Sequence, residues 1–182
     1  MAKQFPSLTP ELKDFIGRQH IFFTASATAD SRINLSPKGL DALRVTGDNE
    51  VVYLDHTGSG NEAAAHLKAD GRLTIMLCAF AGPPMILRLY GSGRIARKGT
   101  DEYRRYLASA FAGNEPTGAR QIVILDIGLV QTSCGFGVPL HDYKAERPSL
   151  TNWAETQGEQ GIADYWQKKN RVSIDGLPTG VE

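Results

Sequence analysis

Val51-Val52-Tyr53-Leu54-Asp55-His56-Thr57-Gly58-Ser59-Gly60-Asn61-Glu62 is the stretch on which the fold turns. A β-branched and aromatic run predicts a strand, and it breaks into a glycine-laced hydroxyl loop just before an alanine-rich stretch that reads as a helix. Ser59 and Glu62 stand at capping-box spacing, which predicts a helix over residues 59–70 with Ser59 meeting a first-turn N–H and Glu62 reaching back. Spare amides in the loop and the positive end of the helix dipole favour an anion there. Gly58 and Gly60 let the backbone come close to a ligand, while Thr57, Ser59 and Asn61 add side-chain donors. The stretch therefore reads as a phosphate seat or as an ordinary capped turn between strand and helix.

Working outward from it, short extended runs dominate. Thr9 followed by Pro10 opens a helix over residues 10–19. Residues 21–28 and 33–36 flank the turn signal Asp30-Ser31 and form a first hairpin. Residues 43–46 and 50–55, joined through Gly47-Asp48-Asn49, form a second. After the helix at 59–70, which Gly71 ends, residues 72–80 and 85–97 read as two more strands. Gly91 and Gly93 inside the longer one mark a bulge, a barrel corner or the close approach of another group. Thr100 caps a helix whose Tyr103, Tyr106, Leu107, Ala110 and Phe111 share one face. Residues 120–132 form a further long strand. An irregular segment, Cys134-Gly135-Phe136-Gly137-Val138-Pro139, then leads to a last helix over 151–170, weakened by Gly158 and Gly161, and to a tail. Antiparallel succession broken by single helices predicts a mainly β fold, a small closed or split barrel with peripheral helices, rather than a doubly wound parallel sheet.

Bulk properties narrow the partners. With 182 residues the chain fits one domain, able to bury about 70% of its extended surface without metals or disulfides. Twenty basic and twenty acidic residues cancel with no block of either sign, which argues against nucleic acid and membrane surfaces and favours a small molecule. Cys78 and Cys134 form no paired motif and are expected as two buried thiols in a reduced cytosol. No apolar run approaches the roughly 20 residues that span a bilayer, so the expected location is cytoplasmic. The four histidines lack metal-ligand spacing, and no nucleophile elbow or dinucleotide fingerprint is present. His20 and His66 read as surface or helix residues, and His141-Asp142 as a wall of a substrate pocket.

Asn34-Leu35-Ser36-Pro37-Lys38-Gly39 at an early strand end, the junction Tyr53-Leu54-Asp55-His56-Thr57-Gly58-Ser59, and Leu87-Arg88-Leu89-Tyr90-Gly91-Ser92-Gly93 in the returning strand together resemble the pyridoxamine 5′-phosphate oxidase-like family of FMN-binding antiparallel split β-barrels. The resemblance covers roughly residues 10–132 and implies a single domain over 1–182 with a C-terminal extension at 133–182. It implies a homodimer with FMN in the cleft between chains, and an oxidoreductase acting on a small substrate. A flavin, haem or F420 carrier without turnover on the same fold is the alternative, the neutral charge speaking against F420. The cofactor residues it implies are Ser36, Lys38, Leu54, Asp55, Thr57, Ser59, Gly60, Asn61 and Arg88, with Lys38 near the flavin and Ser59 in the phosphate loop. Read from the residues alone, Lys38 is a ligand to ring or phosphate or a solvated turn lysine, Asp55 bonds the flavin or caps a turn, and Arg88 meets an anion or turns to solvent. Where oxidases proper carry an Arg-Lys pair this chain has Gly60-Asn61, and their C-terminal Arg-x-His pattern is absent. Oxidation of vitamin B6 is therefore not expected; Phe136 and Val138 suggest a wall for an apolar or planar substrate.

Overall fold

The computed structural model describes residues 2–181 and builds the chain around one antiparallel sheet. Its elements are β1 (Lys3–Phe5), α1 (Pro10–Gly17), β2 (Phe22–Ser26), β3 (Asn34–Lys38), β4 (Leu43–Val45), β5 (Glu50–His56), α2 (Glu62–Ala69), β6 (Arg72–Cys78), β7 (Ile86–Arg97), α3 (Asp101–Phe111), β8 (Ala119–Ser133) and α4 (Ser149–Lys169). Strand order is β3-β2-β6-β7-β8-β5-β4, with β1 added beside β8. The sheet curls into a half-barrel with the helices outside it: a split barrel, mainly β.

Two apolar layers explain why the central strands read as unbroken hydrophobic runs. Val51, Tyr53, Val123 and Leu125 point into the barrel with Leu73, Ile75, Leu87 and Leu89, and α1 plugs the end with Leu12, Phe15 and Ile16. The intervening Val52, Leu54, Ile122 and Ile124 face outward and pack under Tyr103, Tyr106 and Phe111 of α3. Strands β5 and β8 are thus buried on both faces, each such aliphatic contributing about 1.5 to 3 kcal/mol. Thr100 caps α3 as expected, accepting from the Tyr103 N–H at 3.2 Å. Two of the three readings of the β7 glycines hold, the bulge and the close approach: the β7/β8 register shifts between Tyr90 and Gly91, and a Cβ on Gly91 would stand 2.0 Å from the Asp126 carbonyl oxygen, while Gly93 is hemmed by Leu67 and Leu73.

Four expectations need correction. Helix α2 starts at Glu62 with Asn61 as its N-cap, and no side chain caps it. The Glu62 carboxylate instead accepts the Ile174 N–H at 2.9 Å, so the Ser59 capping box does not form. Cys134 is exposed, and only Cys78 is buried. His66 sits in a helix, one of its two expected places, but not at the surface: it is buried, its Nδ1 3.1 Å from the Ser26 hydroxyl, because α2 turns that face to β2. The closing residues are no loose tail: Thr179 is fully buried and its hydroxyl donates to the Asn170 carbonyl at 2.6 Å, Arg97 donates to the Thr179 carbonyl, and Arg32 pairs with Asp175. Helix α4 keeps its expected weak point, a non-helical Gly158 at φ 63°.

Candidate functional site

Three strand ends converge beside the loop that opens α2. β3 delivers Lys38, β5 delivers Asp55, and β8 delivers Arg120 and Gln121 just after its first residue, Ala119. Asp55 shares the inward face with Tyr53 at the open end of the barrel and is only 3% exposed. A carboxylate there survives only if it is paired. Lys38 Nζ donates to one oxygen at 2.7 Å, and the other oxygen accepts from Arg120 Nη2 at 2.7 Å, Arg120 Nε at 3.2 Å and Gln121 Nε2 at 2.9 Å. Burial pushes the Asp55 carboxyl up, but Lys38 and Arg120 outweigh it and hold the group well below the usual carboxylate range. Burial in the same region keeps the neighbouring His56 imidazole below its ordinary value.

The fourth member of this cluster is the informative one. Gln121 Nε2 also donates to Asn61 Oδ1 at 2.8 Å, which orients the Asn61 amide and turns its Nδ2 the other way. That Nδ2 is buried with no acceptor among the described residues, although Asn61 lines a cleft of about 450 Å³. Ser36, Lys38, Asp55, Ser59, Gly60 and Arg120 line the same cleft. Ser59 is exposed and makes no hydrogen bond among the described residues, so its hydroxyl and amide are available. Arg120 is not: its Nη1 donates to the Gly60 carbonyl at 3.0 Å and to Asn170 Oδ1 at 2.7 Å, so the guanidinium acts as a strut.

The loop is also held from behind. Thr57 is 1% exposed, donates to the Gly118 carbonyl at 2.8 Å and accepts from Trp166 Nε1 at 2.8 Å, which places its hydroxyl behind the cleft rather than in it. Asn170 Nδ2 reaches the Gly58 carbonyl at 3.3 Å. Leu54, on the opposite face of β5, packs under α3 away from the cleft. Arg88 lies outside it as well, half-buried on β7 with Nη1 donating to the Ser133 hydroxyl at 3.0 Å. Of the nine residues singled out in the sequence, six therefore line one cleft: Ser36, Lys38, Asp55, Ser59, Gly60 and Asn61. Arg120, Gln121, Trp166 and Asn170 were missed. For Arg120 a signal existed, since a charge opening an otherwise apolar strand needs a buried partner; Trp166 and Asn170 gave none.

A model of the family described as pyridoxamine 5′-phosphate oxidase matches residues 8–134. The chain belongs to the pyridoxamine 5′-phosphate oxidase family. A family protein of Aspergillus flavus, ustO, is 38% identical over 190 residues, 96% of this chain and 76% of its own. Among solved structures, a histidine-to-alanine variant of HupZ from Group A Streptococcus aligns with TM-score 0.54 at 18% identity, over 69% of this chain and 98% of that one. A Lactobacillus delbrueckii protein provisionally assigned as a pyridoxamine 5′-phosphate oxidase gives 0.53 at 19%, over 69% and 94%. At such identities these two likenesses carry the fold alone.

The part of this family member that lies beyond the matched region builds a second concavity. Residues 141–150 cross over the connection between α1 and β2 and over the turn at 79–85, enclosing a groove of about 1180 Å³. His141 and Asp142 line it, as expected of a pocket wall, and Tyr143 lines it with them; Phe136 and Val138 do not, and Phe136 is 81% exposed. Pro37 and Lys38 line both the groove and the cleft, so the two are neighbours across one strand end.

Proposed function

We propose that this family member binds FMN, with the phosphate in the cleft between Lys38 and Asn61, and serves as an oxidoreductase on a small organic substrate. The observation that carries the reading is the orphaned Asn61 Nδ2, a buried donor fixed by Gln121 and lining a cleft that also offers a free Ser59 and the Lys38 ammonium. The donor set suits a phosphate monoester: an amide, a hydroxyl, loop N–H groups at a helix start, and one cation. Asn61 thus stands in for the basic residue that the oxidases proper carry, and Lys38 supplies the charge while staying anchored to Asp55. Bound FMN would supply hydride-level redox chemistry at its ring. This chain's own residues seat and orient: Asp55 fixes Lys38, Arg120 props the Gly60 carbonyl, and burial beside them disfavours a charged His56 imidazole.

The homodimer reading rests on the outer face of the sheet. In register across β3, β2, β6 and β7 run Leu35, Ala25, Thr74 and Tyr90, with Pro37, Phe23, Met76 and Arg88 in the next row. Leu35 is 66% exposed and no helix among the described residues covers this face, which is the kind of apolar surface that marks an interface. A second copy seated there would bring Arg88 of each chain to the boundary between them.

Titration of FMN into the protein, followed by flavin fluorescence, tests the cofactor. Ser59→Ala is expected to weaken binding about fivefold, the loss of one donor. Asn61→Asp, which sets a carboxylate where the amide donated, is expected to weaken it more than tenfold with the fold intact by circular dichroism. Unchanged affinity in both variants overturns the assignment of the phosphate to this cleft.

A further inference from the structure

The groove beside the cleft has a chemistry of its own. Its floor is apolar, supplied by Phe15, Ile21, Phe80, Pro84, Met85 and Leu150. The strap above it is pinned at three points: the His141 N–H donates to the Phe80 carbonyl at 2.9 Å, the Tyr143 ring stacks on His20 at 3.7 Å and 9°, and the Glu146 carboxylate accepts the Leu40 N–H at 3.1 Å. That pinning occupies Glu146. Among the described residues Arg18, Lys144 and Arg147 on the groove wall have no ion-pair partner, and against them stand the two carboxylates of Asp142 and Glu146, which leaves one cation in excess. A wall with an excess of one sign of charge over an apolar floor concentrates ligands of the opposite sign. Its volume exceeds the roughly 300 to 1,000 Å³ of ordinary small-molecule pockets, so a compact vitamer would leave it largely empty.

We infer that this groove is a binding site for an organic anion with an extended, planar apolar body. Resting on the FMN reading, it is the substrate chamber, because Lys38 and Pro37 border both spaces and bring its occupant to the cofactor. The apolar body lies on the floor against the His20–Tyr143 stack, and the acid group meets Arg18 and Arg147.

The probes are anilinonaphthalene sulfonate and its uncharged analogue N-phenyl-naphthylamine, titrated by fluorescence into the folded full chain with and without saturating FMN. The sulfonate is expected to bind once per chain and at least fivefold tighter than the neutral dye. Arg18→Ala with Arg147→Ala should erase that preference and leave the neutral dye within twofold of wild type, both sites being exposed and the fold checked by circular dichroism. Ala81→Trp, which fills the groove from its rim, should weaken both dyes. Equal affinity for the two dyes, no effect of the arginine variants, or complete displacement of the sulfonate by FMN overturns the inference, the last by making the groove the seat of the flavin itself. Failure of FMN to bind at all would instead fall on the cofactor reading, and the dye titrations without FMN still decide the groove.

Discussion

Asp55 is the residue on which the site depends. Removing it leaves Arg120, 4% exposed in its side chain, and Lys38 without their counter-charge. Asp55→Ala is therefore expected to cost about 3 to 5 kcal/mol in chemical denaturation, as for other broken buried pairs. The pH dependence follows from the same pairing. A carboxyl whose folded value is depressed contributes its full stability above its ordinary value of 3.8 and loses it as pH falls through the folded value. Wild-type stability should decline below about pH 4, and Asp55→Asn should flatten that decline; an unchanged acid limb in the variant would show that Asp55 is not its source. At this scale the sequence was legible where chemistry is local. Lys38 and Asp55 stand at strand ends and Ser59 and Asn61 in a glycine loop, positions that announce themselves, whereas Ser36, inside β3, came from the family resemblance alone. The hub role of Arg120 was not, because its partners at Asp55 and Asn170 are 65 and 50 residues away.

Strands and caps were mostly visible, since alternation, turn residues and Thr-first helices are short-range signals. The start of α2 was misread because Glu62 finds a better donor in Ile174, a contact 112 residues distant, and leaves Ser59 free for a ligand. The element most exposed to a single change is the β7/β8 pair at its bulge. Gly91→Ala forces a Cβ to within 2.0 Å of a backbone oxygen, which only a shift of the ladder relieves. We expect a loss of about 3 kcal/mol or more in thermal or denaturant unfolding. Gly128→Ala across the bulge, where the nearest atom is 3.8 Å from the new Cβ, should cost about 1 kcal/mol or less. Equal costs would show that the bulge tolerates displacement.

For the whole molecule, the order of strands in the sheet was beyond local reading; the family resemblance supplied the split-barrel class but not the order. Two expectations belong here. Light scattering at micromolar concentration should give a dimer, and Leu35→Lys with Met76→Lys should give a folded monomer that has lost affinity for FMN; a wild-type monomer ends the dimer reading. Flavin-loaded protein should oxidise pyridoxamine and pyridoxine phosphates with kcat/KM below about 10⁴ M⁻¹s⁻¹, since the C-terminal Arg-x-His pattern of the oxidases is absent, and a higher value would restore vitamin B6 as substrate. The brace behind the loop has a further consequence, in the order of synthesis. Trp166 and Asn170 follow the residues they hold by 109 and 112 positions, so they leave the ribosome after every strand of the barrel. A nascent chain with its sheet complete still lacks the back of its cleft, and capture of the FMN proposed for that cleft would be one of the last events in the maturation of the protein.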